Sequence, residues 1–207
     1  MIRKLSLCLI FFALILGFVT ADEPLLPPTK KFDWYVKSVK KVEATVEPAE
    51  AKPGQTATYR LTVTLTDETY TYPLKQPEKA AANDTNKIAW PTPGQVIFVG
   101  EAIDSPKFKS RPEPALEIKA LRFYEGSVVY ERKFVVNPTA TPGDAVIVLP
   151  EFKFSACHKG QCYPGKVLKP EAKFKILPGP AVPIEKDLAD EVRMALEKKD
   201  EKKDDKK

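Results

Sequence analysis

From Thr56 to Thr66 apolar and polar residues alternate without a break: Ala57, Tyr59, Leu61, Val63 and Leu65 against Thr56, Thr58, Arg60, Thr62, Thr64 and Thr66. Successive side chains of an extended chain point to opposite faces, so this stretch makes a strand with one apolar and one polar side. Such a half-buried strand belongs to an antiparallel sheet whose apolar face must be covered by a second layer. Comparable runs recur at Val39 to Glu47, Gln95 to Ile103, Ser127 to Val136, Asp144 to Leu149, Glu151 to Ser155 and Glu171 to Leu177. Turn signals at Pro53-Gly54, Pro93-Gly94 and Pro142-Gly143, and a loop around Gly160, separate them. The expected fold class is all-β, an immunoglobulin-like two-sheet antiparallel sandwich over residues 36–178. With 20 prolines and only 9 glycines in 207 residues, turns and edges are set by fixed φ more than by flexibility. Leu74 to Lys87 and the proline-rich Ser105 to Ala115 read as longer loops, where function concentrates.

The two ends have different chemistry. Arg3 and Lys4 precede an apolar run from Leu5 to Val19, and Val19-Thr20-Ala21 follows as a small-residue cleavage site, the layout of a secretory signal peptide over residues 1–21. The run is shorter than the roughly 20 residues a spanning helix needs, so no membrane span is expected after cleavage. Cys8 leaves with that segment, and Cys157 and Cys162 remain. Leu177-Pro178-Gly179-Pro180 closes the strand region. Over residues 179–197 a linker and short amphipathic helix are expected, with Ile184, Leu188, Val192 and Leu196 at helical spacing. Residues 198–207 are all charged, bury nothing, and are expected to be a disordered tail.

The 33 basic and 28 acidic residues nearly balance and do not cluster, which gives no footprint for nucleic acid. No nucleophile elbow, glycine-rich phosphate loop or paired carboxylate pattern occurs, so hydrolase and nucleotide chemistry have no support. The chemistry-bearing feature is Cys157-His158-Lys159-Gly160-Gln161-Cys162, directly after the aromatic strand with Phe152 and Phe154. In a secreted chain these thiols enter an oxidising compartment where a disulfide persists. One reading is a structural staple. A ring this small restrains the unfolded chain by only about 2 kcal/mol, against about 4.7 for a loop of 100 residues, so it makes a weak one. The other reading is exchange, since the cationic neighbours His158 and Lys159 favour the reactive thiolate. Cys157, His158 and Cys162 as a metal set fall short of a zinc site's spacing, and the pattern is not that of haem attachment. No cofactor and no metal are expected.

The stretch Phe154-Ser155-Ala156-Cys157-His158-Lys159-Gly160-Gln161-Cys162-Tyr163-Pro164 resembles the active-site hairpin of the N-terminal periplasmic domain of the thiol:disulfide interchange protein DsbD family. Phe123-Tyr124-Glu125-Gly126-Ser127-Val128-Val129-Tyr130 is similar to the segment that holds that family's cap loop, and Tyr70-Thr71-Tyr72-Pro73 resembles its strand-end tyrosines. The three motifs fall in the family's order within roughly residues 40 to 177. The resemblance implies an immunoglobulin-like fold and a thiol:disulfide oxidoreductase acting as an electron carrier. Cys162 would be the nucleophile and Cys157 the resolving thiol; Phe123 would be the cap, with Tyr124, Tyr70, Tyr72, His158 and Tyr163 lining the site. It also implies a periplasmic or secreted location, with periplasmic thiol oxidoreductases as acceptors. The family's proteins continue into a membrane domain and a thioredoxin-like domain whereas this sequence runs into a charged tail, so the expectation is a separate membrane electron donor, or a module put to another use. Where the family carries acidic residues before the cap aromatic, this chain has Leu121 and Arg122, and an arginine there would favour a thiolate. The competing function class is a non-enzymatic immunoglobulin-like binding module that keeps a structural hairpin disulfide.

Overall fold

The strand Thr56–Leu65 divides as its sequence divides: Ala57, Tyr59, Leu61, Val63 and Leu65 are buried, and the residues between them are half-exposed. The computed structural model describes residues 33–204, with side chains through Lys198. The signal-peptide reading for residues 1–21 lies outside the described residues. Thr56–Leu65 pairs antiparallel with Val39–Glu47 on one side and Ser127–Val136 on the other, and Val96–Phe98 and Ile103–Asp104 extend the sheet beyond. On the solvent face the Arg60 guanidinium bridges the strands, 2.7 Å from Glu131 and 3.2 Å from Glu47. Exposed pairs of this kind contribute little more than about 0.5 kcal/mol each. The register is held by the apolar face.

That face is covered by two three-stranded sheets. One joins Gly143–Val148 to Glu171–Ile176 and Glu50–Ala51; the other joins Lys166–Leu168 to Glu151–Phe154 and Lys87–Ala89. Phe134 meets Phe174 edge-on at 5.6 Å and Tyr130 meets Phe152 at 5.6 Å, which locks the layers together. Among the described residues every strand pairing is antiparallel except that of Glu50–Ala51 with Glu171–Ile176. The molecule is thus the all-β sandwich expected. A fourth group of strands, ordered Gln161–Cys162, Ala156–His158, Thr69–Thr71, Ile118–Glu125 and Lys109–Glu113, forms a sheet that carries the cysteine pair.

Three local expectations change, and one strand was not anticipated. The run Gln95 to Ile103 is two strands, because Gly100 turns the chain at φ 64°. The proline-rich Ser105 to Ala115 is not all loop: Lys109–Glu113 is an edge strand, where Pro112 has no second neighbour to donate to. Ile118–Glu125 is a strand whose alternation is broken, since a bulge opposite shifts the register between Arg111 and Glu113 and both its faces are buried. Within Leu74 to Lys87 a single 3-10 turn, Lys79–Ala81, interrupts the loop.

The C-terminal helix is longer than the short element expected. It spans Lys186–Asp204, so the charged run from Lys198 is helical as far as Asp204 rather than a disordered tail. Lysine and glutamate are good helix formers, and a backbone already nucleated upstream can continue without a face to bury. Leu188 and Val192 are buried against Ile97, Val99 and Val135, with Ile184, Ala195 and Leu196 alongside. The helical spacing read from the sequence therefore marks the docked face. It also accounts for the unbroken apolar run at Val96–Phe98, which is covered on one side by the core and on the other by this helix. The Glu191 carboxylate accepts the Gly100 N–H at 2.9 Å and closes the contact. Upstream, the linker presses on the Pro53-Gly54 turn: a Cβ on Gly54 would stand 2.0 Å from the Val182 carbonyl oxygen. None of the described helices is long and apolar enough to cross a membrane.

Val192→Asp puts a carboxylate into this apolar seam, and about 2 kcal/mol of stability should be lost as the helix undocks. Thermal unfolding followed by circular dichroism should show a midpoint several degrees lower; an unchanged midpoint would mean that the helix does not rest on the sheet in solution.

Candidate functional site

The strands Ala156–His158 and Gln161–Cys162 form a hairpin in which Cys157 faces Cys162 and His158 faces Gln161. The connection is two residues, Lys159 at φ 51° and Gly160 at φ 79°, the doubly positive geometry that matches the twist of paired strands. Lys159 tolerates it because its N–H donates to the Glu68 carbonyl at 3.0 Å and its ammonium meets the Glu68 carboxylate at 3.2 Å. Cys157 and Cys162 are joined as a disulfide.

The two sulfurs have unequal surroundings. Cys157 is fully buried, in an apolar cluster with Tyr70, Tyr72, Ala81, Ile118, Leu121 and Phe123. Cys162 is exposed and lines a groove of about 430 Å³ together with Tyr70, Tyr72, Asp84, Arg111, Glu113 and Tyr163. Attack on the disulfide from outside is therefore open at Cys162 and closed at Cys157. The Tyr72 hydroxyl lies 3.2 Å from Sγ of Cys157 and 3.6 Å from Sγ of Cys162, and the Tyr70 hydroxyl lies 3.6 Å from Sγ of Cys162. Burial, with the charges of Tyr70 and Asp84 adding to it, pushes the Tyr72 phenol well above its ordinary range, so it stays protonated. Burial also raises the Asp84 carboxyl, opposed by the hydrogen bond from Tyr72.

The strand-end tyrosines Tyr70 and Tyr72 both lie against the cysteines. Phe123 is in the same cluster, its ring 5.3 Å from that of Tyr70, but it stands mid-strand opposite Lys109 and is buried, instead of crowning a loop. Tyr124 is not at the site. Neighbours on a strand face opposite ways, and Tyr124 enters the main core, its hydroxyl donating to the Ser105 carbonyl at 2.7 Å. His158 places Nδ1 2.8 Å from the Thr69 hydroxyl and lies outside the groove lining. Tyr163 is at the groove, its ring stacked on Trp34 at 5.4 Å with planes 3° apart.

Arg122 does not supply the cation expected beside the cysteines. Its guanidinium lies over the Phe108 ring at 4.3 Å. Arg111 takes that place from the neighbouring edge strand, where it pairs in register with Leu121. Its Nη2 donates to the Tyr70 hydroxyl at 2.8 Å, and its guanidinium lies 4.7 Å from the centre of the Tyr70 ring and 5.3 Å from that of Phe123. Sequence reading passed over Arg111 because the prolines around it hid the strand; alternation of Lys109, Arg111 and Glu113 was the only local signal. Asn86 was passed over as well. Fully buried beneath the hairpin, it accepts the Ser155 N–H at 2.8 Å and offers its amide hydrogens to Thr71 Oγ1, the Tyr72 carbonyl and the Tyr130 hydroxyl at 2.7 to 2.8 Å. Among the described residues no group of three or more His, Cys, Asp or Glu side chains is placed to hold a metal ion.

The fold and site define an all-β sandwich bearing an intrachain hairpin disulfide, with one sulfur in a groove and the other in the core. Comparisons with family models, curated proteins and solved structures return no match for this chain.

Proposed function

We propose that this chain is a thiol-disulfide exchange module that passes reducing equivalents to envelope oxidoreductases through Cys157 and Cys162. The observation that carries the reading is the asymmetry of the pair, one cysteine exposed in a groove and its partner fully buried. Exchange needs an attacking sulfur that a second protein can reach and a resolving sulfur shielded from stray thiols. In the reduced module the Cys162 thiolate attacks a partner disulfide and expels one partner thiolate. Cys157, having lost its proton, then attacks the Cys162 sulfur in the mixed disulfide and expels the second. Two electrons pass to the partner, which leaves as a dithiol, and the module leaves as its Cys157–Cys162 disulfide. A separate membrane thiol donor restores the dithiol. The DsbD-like motifs and the signal-peptide layout support a periplasmic or secreted site of action, where such partners reside.

Cys157→Ala should accumulate a mixed disulfide with an envelope oxidoreductase after acid quenching, and Cys162→Ala should not. Capture by neither variant, with stability lost in both, would return the bridge to the role of a staple in a binding module. The potential provides a second measure: a working bridge equilibrates with a glutathione buffer, whereas a structural one stays oxidised to below about −300 mV.

A further inference from the structure

We propose that Arg111 is a positioning residue for this exchange, one that aims the Tyr70 hydroxyl proton at Sγ of Cys162 and so stabilises the Cys162 thiolate. The inference rests on the exchange reading for its use but not for its chemistry, which is a property of the reduced hairpin alone. A guanidinium has donors and no acceptor. At 2.8 Å from Arg111 Nη2 the Tyr70 oxygen must therefore accept, and its own hydrogen is left to be donated elsewhere. Sγ of Cys162 lies 3.6 Å away, within reach of a hydroxyl donating to sulfur. A neutral thiol gains little from such a donor, but a thiolate gains a charge-assisted hydrogen bond. Arg111 thus does more than add a positive charge to the groove: it settles which way the tyrosine points.

The groups facing Cys162 come from every element around it. Tyr70 and Tyr72 stand on the strand that ends at the hairpin and its continuation, Asp84 on the following loop, and Arg111 with Glu113 on the edge strand; Tyr163 follows Cys162 directly. The Tyr72 hydroxyl also lies 3.6 Å from this sulfur, but its one hydrogen goes to the Asp84 carboxylate. Glu113 and Asp84 oppose a thiolate, and Glu113 takes part of the Arg111 charge through an ion pair at 3.5 Å. His158 sits outside the groove lining, on Thr69. Of these groups only Arg111 and Tyr70 form a directed chain to the sulfur. The arginine is held for the task, over the Tyr70 and Phe123 rings.

The test uses full-length protein reduced with dithiothreitol, freed of it, and pulsed with iodoacetamide across a pH series, with alkylation read at the Cys162 peptide by mass spectrometry. Tyr70→Phe keeps the ring packing and removes only the hydroxyl; Arg111→Met keeps the stem and removes the donors. Each single variant should raise the pH midpoint of alkylation by about one unit. Well below the midpoint the rate should fall about threefold, since a tenfold loss of thiolate is partly offset by the greater reactivity of a more basic one. The double variant should shift no further than either single one, and Arg111→Lys should recover part of the shift. Unmoved midpoints in Tyr70→Phe would overturn the proposal, as would a further full shift when Arg111→Met is added to Tyr70→Phe, because the arginine would then act on the sulfur by charge alone. Failure of the exchange reading would appear separately, as absence of partner capture by Cys157→Ala with these midpoints still shifting.

Discussion

Phe134→Ala is expected to cost about 4 kcal/mol, the range for truncating a buried core aromatic. Phe134 has no exposed surface and lies on the central strand Ser127–Val136, with Phe98 at 5.7 Å in its own sheet and Phe174 at 5.6 Å in the covering one. Removing it deletes one of the ring contacts that join the layers and leaves a cavity that strands on both sides are too constrained to fill. Urea unfolding should show the midpoint falling with little change in slope, and the melting temperature should drop by roughly 12 °C for a chain of this size. Val146→Ala provides the contrast, since Val146 is 52% exposed and should change stability by no more than about 0.5 kcal/mol. A loss under about 1 kcal/mol for Phe134→Ala would mean that the layers do not meet at this ring.

Asn86→Ala should cost about 3 kcal/mol, from a side chain with almost no apolar surface to lose. The half-buried Ser155 N–H loses its partner, the Tyr72 carbonyl keeps only the Tyr130 hydroxyl at 3.0 Å, and an unsatisfied buried group costs roughly 1 to 3 kcal/mol. The effect should extend to the disulfide. Ser155 leads into the Cys157 strand and Tyr72 carries the hydroxyl that reaches both sulfurs, so loss of the amide loosens the floor and one wall of the site together. Melting should fall by about 10 °C, and dithiothreitol should reduce the Cys157–Cys162 bridge faster than in the parent protein. A stability loss with unchanged reduction kinetics would show that Asn86 supports the sandwich without supporting the site.

What could be read from the chain in advance was whatever depends on near neighbours. Alternation places Tyr59 and Leu61 on a buried face because the pleat makes it so regardless of what packs there, and the spacing of Leu188 and Val192 does the same for the helix. The two-residue connection at Lys159 and Gly160 likewise seats Cys157 opposite Cys162 by local geometry. Where alternation failed, so did the reading. Ile118–Glu125 is buried on both faces next to a bulge, and Lys109–Glu113 is broken by a proline that only an edge position tolerates, so neither strand has a clean period.

A sandwich, its apolar faces, the docked stripe of the C-terminal helix and a close pair of thiols were legible along the chain, since each follows from a repeat of two or of 3.6 residues or from a single turn. Tertiary structure alone decided which groups meet the sulfurs. Arg111 and not Arg122 reaches Tyr70, Tyr124 turns into the core while Phe123 faces the cysteines, and Cys157 is buried where Cys162 is open. Those outcomes depend on the register between strands distant in the chain. A one-residue slip exchanges the faces of a strand, and no local pattern in a proline-broken, bulged segment records which register the packed core selects.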